Sequence, residues 1–421
     1  MKPGFYTIMA AQFFSSLADN ALLVAAIALL HELREPAWMT PVLKQTFVVS
    51  YVILAPLAGA FADSMAKGRV MLITNTVKFF GCVLMLFAVH PLLAYAIVGL
   101  GAAGYSPAKY GILTELLPPR QLVSANGWLE GTTVGSIILG VLLGGALITP
   151  NVAATLLTFD MPMIDTPIET PPQAAIAAIM GFYIVAAAFN FFIPRTGVDH
   201  RVASKNPVYL IREFSHCVVL LWRDRLGQIS LATTTLFWGA GATLQFVVID
   251  WASRTFGMNL AQAAMMQGVV VFGVILGAAL ASKFVTLRGA VKVLPIGALM
   301  GVVVIGMIFV HHMPSALVLM VAIGACAGFF VVPMNALLQH RGHVLMGAGH
   351  SIAVQNFNEN IGILVMVGLY ALMVRSGLSV NSAVVIFGLF VAGAMLLVIW
   401  RHRHNQTRGD SLHLVGLDKT H

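Results

Sequence analysis

Long apolar stretches alternate with short polar breaks along the whole chain. Twelve of these stretches reach the roughly 20 residues that an α-helix needs to cross a bilayer. They cover residues 6–30, 42–61, 70–89, 92–113, 126–148, 174–193, 227–251, 262–284, 290–310, 315–337, 349–373 and 379–400. The pattern therefore predicts an all-α membrane protein with twelve transmembrane helices.

A longer polar segment divides the twelve spans into two groups of six. The sequence VVxxVIL begins at Val48 in the second span and recurs from Val270 in the eighth, the corresponding place in the other group. Such parallel repeats are typical of transporters built from two similar halves. We therefore predict an N-terminal six-helix half at 1–193, a cytoplasmic linker at 194–226, a C-terminal six-helix half at 227–400 and a cytoplasmic tail at 401–421.

Composition supports a transporter and argues against an enzyme. Of the 421 residues, 59% are hydrophobic and only 10% are charged, whereas an average soluble domain is about 25% charged. The net charge of +8 does not indicate nucleic-acid binding, because Lys and Arg lie between apolar runs. The three cysteines show no metal-ligand or disulfide spacing, and no Gly-Lys-Ser/Thr motif indicates ATP hydrolysis. We expect no cofactor and no metal.

The distribution of basic residues predicts the orientation. With both termini in the cytoplasm, 18 of the 24 Lys and Arg residues fall in cytoplasmic segments and four in external loops. The other two, Lys78 and Lys109, lie inside spans. The loop 149–173 carries Asp160, Asp165 and Glu169 without a basic residue. The positive-inside rule therefore predicts cytoplasmic termini and an external loop at 149–173.

The loop between the second and third spans carries a glycine, an acid and a basic turn. These residues, Gly59, Asp63, Lys67, Gly68 and Arg69, resemble the loop signature of the major facilitator superfamily, although two extra residues separate Asp63 from Gly68. Gly59 permits close helix packing, Asp63 can pair with a base or cap a neighbouring helix, and Gly68 permits a sharp turn. We interpret the set as a conformational latch; plain topogenic charge is the alternative.

The first span has a polar face deep in the membrane. Gln12, Ser15, Ser16 and Asp19 share one side of a helix, and Asn20 adjoins them. Because a carboxylate near mid-membrane costs about 2.5–3.5 kcal/mol on insertion scales, Asp19 should face a cavity or a partner. The alternative interpretation is a buried acid that only holds two helices together.

Span four contains a lysine that is a candidate partner for Asp19. It combines Pro107, Lys109 and Tyr110. In the superfamily the first and fourth helices line the cavity while the third is peripheral, so we expect Asp19 to couple to Lys109 rather than to Lys78. A Lys109 side chain that reaches the membrane interface is the alternative.

Three other spans carry polar faces that predict cavity residues. So many polar groups in hydrocarbon need partners from other helices or cavity water. The candidates are Asn126, Glu130 and Thr133 in span five, Gln245 in span seven, and Gln355, Asn356, Asn358, Glu359 and Asn360 in span eleven.

Several segments also resemble the bacterial lysophospholipid transporter family. They are ADNALL at 18–23, DSxAKGR at 63–69, SPAKYGIL at 106–113, SANG at 124–127 and AVQNF at 353–357. The resemblance covers essentially the whole chain. It implies a major facilitator fold that moves lysophospholipids from the outer to the inner leaflet of a Gram-negative inner membrane by alternating access. It also implies a functional partner, an acyltransferase/acyl-carrier-protein synthetase that re-acylates them.

Two other functions remain as alternatives. A proton-coupled drug or small-solute transporter of the same superfamily would use Asp19 or Glu359 as its proton carrier. A membrane enzyme that acylates lysolipids would need a His–acid pair near an interface, and the sequence contains no convincing pair.

Overall fold

The computed structural model describes residues 3–35, 39–157, 168–197, 206–258, 260–407 and 415, and within them it contains fourteen α-helices and no strand. The helices are α1 (Pro3–Glu32), α2 (Met39–Asp63), α3 (Lys67–Leu86), α4 (Pro91–Leu116), α5 (Leu122–Leu147), α6 (Pro150–Leu157), α7 (Pro171–Phe191), α8 (Pro207–Arg223), α9 (Gly227–Phe256), α10 (Leu260–Phe284), α11 (Leu294–Ile305), α12 (Met313–Met346), α13 (Ala348–Arg375) and α14 (Val380–Thr407).

Each of the twelve predicted spans coincides with one of these helices, and only α6 and α8 lie outside the spans. Eleven helices within the described residues are long and apolar enough to cross a membrane. The twelfth, α4, has 26 residues but carries the polar run around Pro107 and Lys109. The ninth span is not one regular helix, because 3-10 segments at Leu287–Val293 and Gly306–Phe309 flank α11.

The polar connections contain two helices that the hydrophobic pattern does not predict. The linker 194–226 contains α8, and the loop 149–173 contains the short α6. Residues 158–167, with Asp160 and Asp165, lie outside the described residues, as do 198–205 of the linker and 408–414 and 416–421 of the tail.

The chain forms two compact units. Unit 1 comprises Met1–Leu116, Thr132–Phe214 and Ala348–Ala353; unit 2 comprises Leu117–Gly131, Ser215–Gly347 and Val354–His421. In unit 1, α1 packs against α7, and α4 packs against both α2 and α3. In unit 2, α10 packs against α12 and α11 against α14. The helices α5, α8 and α13 each contribute a segment to both units.

The contact between α10 and α12 is a seam of four glycines: Gly273 and Gly277 on α10, and Gly324 and Gly328 on α12. A methyl group added at any of them would collide with a backbone carbonyl of the other helix. Helices in lipid gain little from hydrophobic association, so small residues that let backbones approach stabilise their packing. The seam therefore fixes the two helices in direct backbone contact.

Candidate functional site

A buried ion pair joins α1 to α3 in unit 1. The Lys78 ammonium lies 2.7 Å from Oδ2 of Asp19 and donates to Oγ of Ser15 at 3.0 Å. The Tyr183 hydroxyl on α7 donates to the other oxygen of Asp19 at 2.6 Å. Ser15 in turn donates to Asn75 at 2.7 Å. These five residues are called the Asp19 cluster below.

Asp19 is the most exposed member of the Asp19 cluster. The side chain of Asp19 is 19% exposed, whereas that of Lys78 is 1% exposed. The Lys78 ammonium also stands 4.7 Å from the centre of the Tyr105 ring, at cation–π distance. Lys78 and Tyr183 each contact one oxygen of the partly exposed Asp19 carboxylate and hold it in place.

The expected pairing is wrong as a direct contact between Asp19 and Lys109, because the cation that contacts Asp19 is Lys78. The reason is depth in the membrane. At 1.5 Å per residue, Asp19 lies about 24 Å along α1 from its start, and Lys109 lies only about 10 Å from the end of α4. Lys78 lies about 16 Å along α3, and its long side chain covers the remaining distance. Lys109 instead stands 4.5 Å from the ring centre of Tyr110.

The rest of the polar face of α1 also finds partners within unit 1. Gln12 donates to the hydroxyl of Thr132 at 2.6 Å, and Thr133 donates back to Gln12 at 3.4 Å. Asn20 donates to the carbonyl of Ser16 in its own helix. The sequence predicts that Asp19 faces a cavity or a partner, and the structure gives it two partners, Lys78 and Tyr183.

A second polar cluster lies in unit 2, where α5, α12 and α13 contribute two acids and two amides. Asn335 donates to Glu130 at 3.2 Å, and Gln355 donates both to Asn335 at 3.0 Å and to Glu359 at 2.7 Å. All four side chains are buried. This continuous chain of hydrogen bonds is called the Glu359 cluster below.

Asn126 continues the Glu359 cluster by one helical turn. Its side-chain amide and that of Gln339 exchange two hydrogen bonds of 2.9 Å. Asn126 and Glu130 are four residues apart on α5, and Asn335 and Gln339 are four apart on α12, so the two polar faces match in register. The sequence carries this spacing in span ten, which was not among the predicted polar faces.

The structure does not gather the remaining candidates into either cluster. Asn358 accepts a hydrogen bond from the indole of Trp222 at 3.2 Å. The buried Asn356 accepts the Asn360 amide with its backbone carbonyl. Gln245 is exposed, and its backbone carbonyl accepts from Gln267.

The latch acid binds the first turn of α13. The Asp63 carboxylate accepts the backbone N–H groups of Gly349 and His350 at 2.7 and 3.0 Å and contacts Nδ1 of His350 at 2.7 Å. It also pairs with Lys67 at 2.6 Å. The first N–H groups of a helix have no partner inside the helix, and an acid there is favoured by the helix dipole. Both expectations for Asp63, a basic partner and a capped helix, are confirmed.

The glycines of the latch make this approach possible, but not in the way expected for Gly68. A Cβ at Gly59 would lie 3.0 Å from Cα of His350, so α2 and the start of α13 touch through backbone. The role of Gly68 as a turn residue is wrong: it lies within α3 and packs against Ile193 at the end of α7. Arg69 is exposed, and the base that pairs with Asp63 is Lys67.

Known proteins resemble this chain in sequence over most of its length. The family model described as Major Facilitator Superfamily matches residues 8–342. The chain is 41% identical to the lysophospholipid transporter LplT of Yersinia enterocolitica serotype O:8 over 381 residues, which cover 90% of this chain and 89% of the relative. The same-named protein of Yersinia pestis (strain Pestoides F) is 42% identical over 371 residues, which cover 88% and 86%.

Solved structures show the fold alone. The human organic anion transporter MFSD10 (TETRAN) is 15% identical with a TM-score of 0.70, and the match covers 96% of this chain and all of that one. The transporter FucP in its outward conformation is 14% identical with a TM-score of 0.68, and the match covers 95% and 98%.

Proposed function

The chain belongs to the lysophospholipid transporter family of the Major Facilitator Superfamily, and on that premise we propose that it moves lysophospholipids from the outer to the inner leaflet of the bacterial inner membrane without ATP. The curated relatives that carry this name share more than two fifths of their residues with it over most of both chains.

The observation that carries the proposal is the Asp19 cluster inside apolar spans. Flipping a lysophospholipid is slow because its charged headgroup loses water in hydrocarbon, where unsatisfied polar groups are costly. The Asp19 carboxylate is partly exposed, and its two oxygens are already oriented by Lys78 and Tyr183. Such a site replaces lost water with fixed hydrogen-bonding groups and so lowers the barrier for the headgroup.

The Glu359 cluster in unit 2, whose side chains are buried in the structure, is a second polar group that we propose for the same task. Its chain of amides and carboxylates offers both donors and acceptors, which suits a headgroup that contains a phosphate and a hydrogen-bond donor. In this proposal Asn20 in unit 1, and separately Asn356, Asn358 and Gln245 in unit 2, are further polar residues that contact the lysophospholipid during transport. Lys109 and Tyr110 are proposed to contact the lysophospholipid nearer the end of α4.

Asp63 controls the exchange between conformational states in this proposal. Its bonds to Gly349, His350 and Lys67 fix the first turn of α13 to the end of α2. Breaking several charge-assisted hydrogen bonds together makes the change of state an all-or-none event. The latch therefore affects the rate of transport rather than substrate affinity.

The product of transport is a lysophospholipid in the inner leaflet. We assign its consumption to an acyltransferase/acyl-carrier-protein synthetase, which re-acylates it to a diacyl lipid. The basic residues of the sequence favour cytoplasmic termini and an inner-membrane location for this arrangement.

The test is flipping of labelled lysophosphatidylethanolamine in vesicles that contain only the purified protein and no nucleotide. We expect the label to lose accessibility to an external quencher in wild-type vesicles, and to lose it much more slowly with Asp19→Asn. Movement of a small solute that requires an imposed proton gradient, with no movement of the lysolipid, would establish the proton-coupled alternative instead.

A further inference from the structure

One end of unit 2 carries exposed aromatic side chains, each adjacent in sequence to an exposed basic residue. Trp222 precedes Arg223 at the end of α8, Lys283 precedes Phe284 at the end of α10, and Trp400 precedes Arg401 near the end of α14. The three aromatic residues are 40%, 66% and 62% exposed, respectively. All three basic residues are exposed as well.

These three pairs lie at the same end of the unit. The helices α9 to α14 alternate in direction, so the start of α9 and the ends of α10 and α14 share one end. Two hydrogen bonds join the end of α14 to the start of α9: Arg401 donates to Gln228 at 2.9 Å, and Asn405 donates to the carbonyl of Arg225 at 3.1 Å. The positive-inside rule places this end on the cytoplasmic side.

The charge at this end is strongly one-sided. Further exposed basic residues there are Arg288, Lys292 and Arg403. Among the described residues of unit 2, the acid at this end is Asp224, and Arg341 engages both of its oxygens at 3.1 and 2.7 Å. Asp224 therefore does not neutralise the exposed cations.

We infer that the surface formed by Trp222, Arg223, Lys283, Phe284, Trp400 and Arg401 binds anionic phospholipids of the adjacent leaflet through their phosphate groups. Aromatic rings favour the headgroup level of a bilayer, and basic residues beside them attract anionic lipids. No site of this kind is needed for the lysophospholipid to cross the membrane, so the inference goes beyond the proposed function.

The surface is also connected to the transport machinery. The indole of Trp222 donates to Oδ1 of Asn358, the residue next to Glu359 on α13. A lipid that orders Trp222 therefore also orders the segment of α13 that carries the Glu359 cluster. We expect anionic lipid to increase the transport rate as well as to bind.

The direct test measures lipid retention without any lysophospholipid. The full-length protein is reconstituted in phosphatidylcholine and phosphatidylglycerol at equal amounts and extracted in mild detergent, and the co-purified lipids are quantified by mass spectrometry. The test variant is Arg223→Gln/Lys283→Gln/Arg401→Gln. The matched control is Arg254→Gln/Arg375→Gln, which removes two exposed cations near the ends of α9 and α13, at the opposite end of unit 2.

We expect the test variant to bind phosphatidylglycerol about fivefold more weakly for each charge removed at low salt, with phosphatidylcholine retention unchanged. The control should retain phosphatidylglycerol like the wild type, and the charge-preserving variant Arg223→Lys/Arg401→Lys should do so too. Molar salt should reduce the difference in phosphatidylglycerol retention between the test variant and the wild type, because salt shortens the range of electrostatic attraction.

Two results would overturn the inference: equal phosphatidylglycerol retention by the test variant and wild type, or an equal loss in the control. Thermal unfolding in detergent identifies a misfolded variant, and Arg223→Gln/Lys283→Gln, which keeps the Arg401–Gln228 hydrogen bond, then takes the place of the test variant. Because retention is measured without a lysolipid, failure of the inference leaves the proposed transport function intact, and the converse also holds.

Discussion

The contact between Asp19 and Lys78 allows the headgroup site to be tested as a pair rather than residue by residue. Lys78→Met removes the ammonium while keeping most of the side-chain volume, and Asp19→Asn removes the opposite charge. Each single change leaves one uncompensated charge in a site where Lys78 is 1% and Asp19 is 19% exposed. The double variant leaves no uncompensated charge at this site.

The expected magnitude follows from this burial. Removing one partner of a buried ion pair costs about 3–5 kcal/mol, because the remaining charge has lost water without gaining a partner. Tyr183 still donates to Asp19 in Lys78→Met, so that variant should lie at the lower end of the range. A cost of about 3 kcal/mol corresponds to more than a hundredfold in an equilibrium constant. The coupling energy of the cycle should fall within the roughly 0.5–3 kcal/mol seen for contacting residues.

The assay combines flipping of labelled lysophosphatidylethanolamine in vesicles with thermal unfolding in detergent. Both single variants should be strongly impaired in flipping and stability, and the double variant should lose less stability than the sum of the two single losses. Flipping should stay low in the double variant, because the accessible carboxylate is gone.

The control cycle uses Lys109→Gln with Asp19→Asn. Lys109 does not contact Asp19, so its effects should add to those of Asp19→Asn within about 0.5 kcal/mol. Additive losses in the Asp19–Lys78 cycle, together with non-additive losses in the Asp19–Lys109 cycle, would refute the pairing derived from the structure.

Three further outcomes follow from the other contacts. Asp63→Asn weakens the charge-assisted bonds to Gly349 and His350, so it should alter the transport rate severalfold with little change in substrate affinity; an affinity collapse at an unchanged rate would contradict this. Asn335→Leu breaks the Glu359 cluster in the middle and should destabilise the protein by about 1–3 kcal/mol in thermal unfolding; an unchanged unfolding temperature would contradict the cluster. Accessibility reporters placed after Arg120 and within the loop 149–173 should report opposite sides of the membrane, and labelling from one side would refute the predicted topology.

The spans and their polar faces could be predicted because the membrane penalises every polar side chain that it contains. Asp19, Glu130 and Glu359 are conspicuous in the sequence because carboxylates are costly inside apolar runs. Their partners could not be predicted, since pairing depends on the depth and rotation of each helix. Lys78 and Lys109 look equivalent in the sequence, and only their different depths in the packed helices distinguish them.

The long-range contact of Asp63 and the helix α8 also could not be predicted from the sequence. Asp63 could be interpreted as a capping acid, but the helix that it caps begins 285 residues later, at Ala348. The helix α8 was not predicted, because the polar residues 212–213 and 215–216 interrupt its apolar residues, which therefore do not reach the length of a span. Its buried residues Leu210, Phe214, Cys217 and Leu221 nevertheless follow a helical spacing that the sequence carries.

The glycine seam between α10 and α12 has a consequence for the order in which the chain is assembled during synthesis. The two helices are separated in sequence by α11, so α10 enters the bilayer before its seam partner has been made. Until α12 follows, lipid tails cover the backbone strip around Gly273 and Gly277, because glycine has no side chain that could shield it. A chain that ends after α11 would therefore expose this strip permanently, and quality-control proteases should remove it faster than a chain that ends after α12.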